Sequence, residues 1–263
     1  MLRLAATFLC ALLTVYTVAQ AAPADAVKDL APSGRLRAAI NFGNPVLAQK
    51  DPMTGGPRGV SVALARELAL QLDVPVDFVP FSEAGQVVEA VDGGTWDIAF
   101  LAVDPVRAGS IGFTAPYVLI EGVYLVPTAS PLQRVEDVDR SGLRIAVAKG
   151  SAYDLFLTRT LTRAQVTRAA TSAEALDLLV QNQVEAVAGV KQPLEQYTRA
   201  HSDTRLIPGR FMEIDQAMAV PKGRAAGLRF LNGFVEAMKA SGFVAKALAE
   251  SGQGDVVVAP PAP

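Results

Sequence analysis

The feature that most constrains this chain is an alternation of buried strands and helices that runs through it twice. The most telling member of the first pass is Ile98–Val103, a continuous apolar run of six residues, short enough for a strand covered on both faces. The run stops at Asp104-Pro105, where proline lacks the N–H of a ladder but suits the first turn of a helix capped by Asp104. Before it come a predicted strand at Arg35–Ile40 and a loop, Asn41–Gly59, holding four glycines and three prolines. Ser61 is read as the cap of a helix through Leu72, with Val60, Leu64, Leu68 and Leu72 on one face. Strand Val76–Pro80 and helix Glu83–Val91 follow, the helix closed by Gly93-Gly94.

After the extended run Tyr117–Val126 the pattern returns as strand Leu143–Ala148, helix Ser151–Leu161 and strand Val166–Ala169. A helix at Ser172–Asn182, opened by the capping box Thr171-Ser172-Ala173-Glu174, then leads to strand Val184–Ala188 and a helix near Leu194–Ala200. Met212–Val220 is extended again, and helices are predicted at Gly227–Lys239 and Phe243–Glu250. Two adjacent strand–helix sets of similar size predict an α/β protein of two similar lobes.

With 263 residues such a chain can bury sizeable cores, and a net charge of −2 leaves no basic footprint for nucleic acid. Residues 1–21 read as a secretory signal peptide: a basic start at Arg3, an apolar run Leu4–Val18 and an A-x-A site at Ala19-Gln20-Ala21. The run is shorter than the roughly 20 residues a spanning helix needs. The single cysteine, Cys10, lies inside it, so the mature chain is expected to be exported, soluble and free of thiol chemistry. A Pro/Ala-rich lead, Ala22–Ser33, precedes the first strand, and a Gly/Pro-rich tail, residues 253–263, is expected to be disordered. One histidine, His201 in a polar segment, offers no metal cluster, and no cofactor is expected.

Arg107 stands just past the C-terminal end of the Ile98–Val103 strand, the edge where open α/β sheets bind ligands, and its planar fork matches a carboxylate. Taken alone it reads as a surface partner of Asp104, a pairing of small consequence.

Several segments in order resemble one family. Gly59-Val60-Ser61-Val62-Ala63-Leu64-Ala65 resembles Gly-Phe-Asp-x-Asp-Leu-Ala, and Gly94-Thr95-Trp96-Asp97-Ile98-Ala99 resembles Gly-Lys-x-Asp-x-Ala. Pro105-Val106-Arg107 resembles Thr-Pro-Glu-Arg, and Phe113-Thr114-Ala115-Pro116-Tyr117 resembles Phe-Ser-x-Pro-Tyr. Ile145–Tyr153 resembles Val-Gly-Val-x-x-Gly-Thr-Thr, and Ala219-Val220-Pro221-Lys222-Gly223 resembles Ala-Val-Arg-Lys-Gly. The chain thus resembles the bacterial periplasmic solute-binding proteins of the amino-acid-binding group, family 3, the receptors of ABC importers. The resemblance implies a type II two-lobed fold with a hinge of two crossing strands. Lobe one would comprise residues 34–123 plus 217–252 and lobe two residues 127–209, with crossings at Tyr124–Pro127 and Glu213–Gln216. It also implies a periplasmic, non-enzymatic, monomeric receptor that closes on an amino acid or related small carboxylate and serves an inner-membrane ABC permease.

On this resemblance Arg107 is the carboxylate-binding residue of lobe one. Gly150-Ser151 sits at a strand end and opens a helix, so its backbone N–H groups would form an anion site from lobe two, or simply an ordinary turn capped by Ser151. Phe100 and Ala102 occupy positions where the family carries hydroxyls, and Phe42, Asn41 and Asn44 stand near its first-lobe contacts. Tyr153 would stack, donate or simply pack, and Trp96 would pack. Position 190, where the family carries an aspartate for an α-ammonium, is Val190, followed by Lys191. A buried ammonium without a partner costs several kcal/mol, so the expected ligand is a small acid lacking one, unless Glu185, Glu121, Asp104 or Glu213 reaches the cleft. Two other functions compete with a receptor. A cyclohexadienyl-dehydratase-like enzyme would need Glu121 or Glu213 as a general acid, and a sensory lobe pair would need a signalling partner.

Overall fold

The computed structural model describes residues 22–263. The predicted signal peptide, with Cys10, lies outside the described residues. In chain order the first half holds α1 (Ala24–Leu30), β1 (Leu36–Asn41), β2 (Gln49–Lys50), β3 (Pro57–Arg58), α2 (Val60–Leu72), β4 (Val76–Phe81), α3 (Ala84–Glu89), β5 (Ala99–Ala102) and the long β6 (Ile111–Pro127). The second half holds β7 (Arg144–Ala148), α4 (Ala152–Thr160), β8 (Gln165–Ala169), α5 (Ser172–Val180), β9 (Ala186–Val190), α6 (Lys191–Ala200), β10 (Thr204–Leu206), β11 (Met212–Pro221), α7 (Ala225–Ala240), α8 (Phe243–Glu250) and β12 (Val257–Val258).

Each lobe contains a set of parallel strands. β4 pairs with β1, β1 meets the β5 segment through the bridge Ala38–Ile98, and β7 pairs in parallel with both β8 and β9. The alternation of short apolar strands and amphipathic helices requires this, because each crossover helix covers a face of its sheet. One core gathers Leu36, Ile40, Leu64, Leu68 and Ile98 with Leu231, Phe234 and Val244 from late in the chain. Behind β1 and β5 a second cluster surrounds Trp96, which is fully buried and donates from Nε1 to the Val87 carbonyl at 3.0 Å. Asp97, also fully buried, is held by Arg37 at 2.8 Å and Arg224 at 2.9 Å, which ties β1 and the start of α7 to the β5 loop. The other lobe is built on Tyr124, Ile145, Val147 and Leu157 on one side of its sheet and Leu125, Ala146, Leu179 and Val187 on the other.

Two strands join the lobes. β6 runs antiparallel to β11 from Ile111 to Gly122, then changes partner and pairs with β9 from Gly122 to Leu125. The crossing therefore lies near Gly122, ahead of the expected Tyr124–Pro127, whose residues pair with β9 and β10 inside the second lobe. β11 crosses at Met212–Gln216, with register shifts on either side of Ala217.

Three local expectations are corrected. The first lobe, expected to begin at residue 34, takes in part of the lead: residues 24–30 form α1, because Ala26 and Leu30 are buried and the Asp29 carboxylate accepts the Gly227 N–H of α7 at 3.0 Å. Ser61 does not cap α2; Gly59 does, at φ 113°, and the Ser61 hydroxyl lies inside the helix against the Tyr117 hydroxyl at 3.3 Å. The tail is ordered. β12 adds to β6 opposite Leu119 and Val118, Val256 and Ala259 are buried, and the Ala259 N–H donates to the Tyr117 carbonyl at 3.1 Å. Among the described residues no helix is long and apolar enough to cross a membrane.

Candidate functional site

Arg107 lies in a single 3₁₀ turn, Arg107–Gly109, just past the end of β5. It is only 2% exposed, and it does not pair with Asp104, whose carboxylate instead takes Arg159 of α4 at 2.8 Å while capping the Val106 N–H at 2.8 Å. The guanidinium reaches across both lobes: Nη1 donates to the Ala102 carbonyl of β5 at 3.0 Å, and Nη2 to the Gly150 carbonyl after β7 at 2.9 Å. Its Nε is buried without a partner. Burial lowers its pKa to about 10, against the opposing pull of Asp104, so it stays charged at neutral pH.

Arg107 opens onto a cavity of about 100 Å³ between the lobes, lined also by Asn41, Asn44, Phe100 and Ala102 from the first lobe and by Ser151, Tyr153 and Val190 from the second. Gln216 of β11, only 5% exposed, completes the floor near the hinge with Ile214. Eight of the ten predicted site residues, all but Phe42 and Gly150, thus meet at one place. Phe42 does not line it; that ring packs against the first-lobe core, with the Lys50 ammonium 5.5 Å from its centroid, while Asn41 and Gly43 face the cavity. Gly150 contributes its carbonyl rather than its N–H.

That last point corrects the predicted anion site. The Gly150 N–H is taken by the Asp154 carboxylate at 2.8 Å, the Ser151 N–H by the Ala148 carbonyl at 3.1 Å, and the Ser151 hydroxyl accepts from the Asp154 N–H at 3.0 Å. The first turn of α4 therefore carries its own anion, which Arg168 balances at 3.0 Å. The two strand–helix units instead meet here by close backbone approach. A Cβ on Gly85 would stand 2.7 Å from the Lys149 carbonyl, and one on Gly150 would stand 2.8 Å from the Gly85 Cα.

Neither Lys191, next to Val190, nor Lys149, next to Gly150, lines the cavity. Lys191 pairs with Glu121 at 2.7 Å on the hinge, and Lys149 is exposed at the rim with Glu89 3.7 Å away. Of the four acids named as alternatives none reaches it: Glu185 pairs with Arg144 at 2.6 Å, Asp104 with Arg159 at 2.8 Å, and Glu121 and Glu213 with Arg210 at 3.2 and 2.9 Å. The carboxylate in the wall is one that sequence reading missed. Glu83, 6% exposed, accepts the Ser172 N–H of α5 at 2.7 Å across the cleft and lies 3.4 Å from the Ser172 hydroxyl. Burial raises its carboxyl above the ordinary range even though the Ser172 contacts oppose the shift. It sits just past the end of β4, the same strand-end position that singled out Arg107.

Residues 37–252 match the model of the bacterial extracellular solute-binding proteins, family 3. The chain belongs to that family. Its fold is the type II periplasmic-binding-protein fold, shared with the solute receptor for L-cysteine of Neisseria gonorrhoeae at 25% identity and a TM-score of 0.75, over 86% of this chain and 92% of that one. The cysteine-binding protein of Campylobacter jejuni is similar at 21% identity and a TM-score of 0.75, over 89% and 99% of the two chains. An ancestral amino-acid-binding protein, a precursor of cyclohexadienyl dehydratase, is similar at 23% identity and a TM-score of 0.71, over 85% and 97%. No curated protein matches the sequence.

Proposed function

We propose that this solute-binding protein is the periplasmic receptor of an ABC importer, capturing an amino acid or related small carboxylate between its lobes and delivering it to an inner-membrane permease. The observation that carries this reading is Arg107: a charged guanidinium, 2% exposed, hydrogen-bonded to one carbonyl from each lobe, and left with an unpartnered Nε at the wall of a small cavity. A carboxylate bound there gains charge-assisted hydrogen bonds and loses little to reorganisation, since the fork is already fixed. Because it touches both lobes, such a ligand favours the closed state over the open one, which is the requirement for ligand-driven closure. The amino-acid ligands named for its structural neighbours support the same class. Export through a signal peptide cleaved after Ala21, and action as a monomer, belong to this reading.

The test is mass spectrometry of small molecules released on denaturing the purified protein, followed by a thermal-shift panel of amino acids and small acids. A released carboxylate that raises the melting temperature of the stripped protein, and fails to do so in Arg107→Ala, is the expected result. Ligands that stabilise Arg107→Ala as well as wild type would overturn it.

One observation favours a second reading, a dehydratase on the same fold. Glu83 is a cleft carboxyl whose raised pKa suits a general acid, whereas Glu121 and Glu213 are ion-paired on the hinge. Aromatic absorbance appearing when a cyclohexadienyl acid is added would establish turnover; the receptor reading expects none.

A further inference from the structure

Arg107 and Glu83 are the two charged side chains in the cavity wall, and they come from the same lobe. Each is fixed to the opposite lobe by a hydrogen bond, Arg107 to the Gly150 carbonyl and Glu83 to the Ser172 N–H. The remaining wall is apolar or carries neutral polar groups such as Asn41, Asn44 and Gln216. Residue 43 is glycine where a Cβ would stand 2.5 Å from Glu83 Oε2, so the backbone there leaves room for the carboxylate. A carboxylate has about four lone-pair sites, and the Ser172 contacts use one on each oxygen.

The closed cavity therefore holds one fixed positive and one fixed negative charge. A ligand that is only an anion would pair with Arg107 and leave the Glu83 charge uncompensated in a desolvated space, which is costly. A ligand with both a carboxylate and a cationic nitrogen leaves the cavity neutral. We propose that Glu83 selects the charge of the ligand: the carboxylate goes to Arg107 and a cationic nitrogen goes to Glu83, which takes the place of the acid missing at Val190. This rests on the reading that the cleft binds a carboxylate at Arg107, and it reverses the expectation of a ligand without an ammonium. That expectation assumed a cleft with no acid in it.

The test is calorimetry on ligand-stripped protein with matched pairs: L-alanine against pyruvate, L-valine against 2-oxoisovalerate, and L-leucine against 2-oxoisocaproate. In wild type the amino acid of whichever pair binds is expected to bind at least tenfold more tightly than its oxo acid. Glu83→Gln keeps an acceptor for the Ser172 N–H and the side-chain volume, so it preserves the fold, and it should shrink that preference to threefold or less, or invert it. Arg107→Ala should weaken both members of a pair together. Oxo acids binding as tightly as amino acids to wild type, with both lost in Arg107→Ala, would overturn the role of Glu83 and leave the receptor reading standing. An amino-acid preference unchanged in Glu83→Gln would overturn it too. Failure of all six compounds to bind wild type at millimolar concentration would overturn this proposal and count against the carboxylate reading beneath it.

Discussion

Among the described residues, two cavities beside the crossing strands handle charge in opposite ways. The cleft holds Arg107 and Glu83, both under a tenth exposed and bonded to backbone rather than to another charge. The other cavity, about 160 Å³, lies against the hinge where β6, β11, the start of α6 and the tail meet, and Glu121, Lys191, Arg210, Glu213 and Asp255 line it. There the charges answer one another. Glu121 takes Lys191 at 2.7 Å and Arg210 at 3.2 Å, Arg210 also takes Glu213 at 2.9 Å, and these four side chains are 32–48% exposed. The more charged cavity is the weaker candidate for ligand binding, because four of its five charged side chains are already paired and wet. Sparse charges held out of water are the ones whose energy changes most when a ligand arrives.

The hardest blow to this contrast falls on Arg107. Arg107→Ala is expected to cost about 2–5 kcal/mol of ligand binding by calorimetry, since the ligand's carboxylate is left buried and unpaired. Arg107→Lys keeps a charge but not the planar fork that reaches Ala102 and Gly150, so it should recover only part of the loss. Wild-type affinity in Arg107→Ala would make the cleft no more consequential than the hinge cavity.

A smaller effect separates closure from chemistry. Gly85 lies in α3 with helical backbone, so alanine is tolerated there locally and stabilises the helix by up to about 1 kcal/mol. In the closed form, however, the added methyl meets the Lys149 carbonyl at 2.7 Å. Gly85→Ala should keep or raise the ligand-free melting temperature while weakening binding by about 1–3 kcal/mol, the usual cost of overpacking. Lower stability with unchanged affinity would show that the Gly85–Gly150 approach plays no part in closure.

How much of this was legible follows from how local each signal is. The second lobe's strand–helix order and the Thr171 capping box are short-range patterns, and Thr171 does accept the Glu174 N–H at 3.1 Å. Arg107 was legible because a strand end, Asp104-Pro105 and an arginine are contiguous. The same strand-end rule applied to β4 would have found Glu83, but its partner Ser172 lies 89 residues away and in the other lobe. The α4 turn was misjudged for a visible reason. Ser151 followed three residues later by Asp154 is the pattern of a helix start that supplies its own anion. The tail gave no such signal: Val257-Val258 becomes a strand only because β6, far back in the chain, offers an unpaired edge at Val118 and Leu119.

The two cavities should also respond to pH with opposite signs. Burial raises the Glu83 carboxyl in the closed form, so closure is favoured most below the ordinary glutamate range and that advantage is lost as pH rises through the raised value. The neighbouring groups are Ser172, which opposes the shift, and Glu174 on α5, which adds to it, while the Tyr153 hydroxyl lies 3.3 Å from the Ser172 hydroxyl. Glu121 is held below its ordinary range by Lys191 and then Arg210, so its contribution is present above about 4.5 and lost as pH falls through the lowered value. Ligand-free protein should therefore show a smaller scattering radius at pH 5 than at pH 7.5, and Glu83→Gln should flatten that dependence. A radius that stays constant or grows on acidification over this range would show that Glu83 does not set the closing equilibrium, because the Glu121 pairs are lost only at lower pH.

The smallest effect is expected at the hinge itself. Lys191 and Glu121 are 40% and 32% exposed, and Glu121 keeps Arg210 when Lys191 is removed. Partly exposed pairs of this kind are worth about 0–1 kcal/mol, and the second partner takes up part of what is lost. Lys191→Ala should thus change the melting temperature and the ligand affinity by amounts near the error of each measurement, and 0.5 M salt should blunt even that. A loss of affinity approaching that of Arg107→Ala would break the contrast between the cavities. It would mean that the ion pairs across the crossing strands set the closing equilibrium, and that the hinge, rather than the desolvated charges of the cleft, decides how tightly the ligand is held.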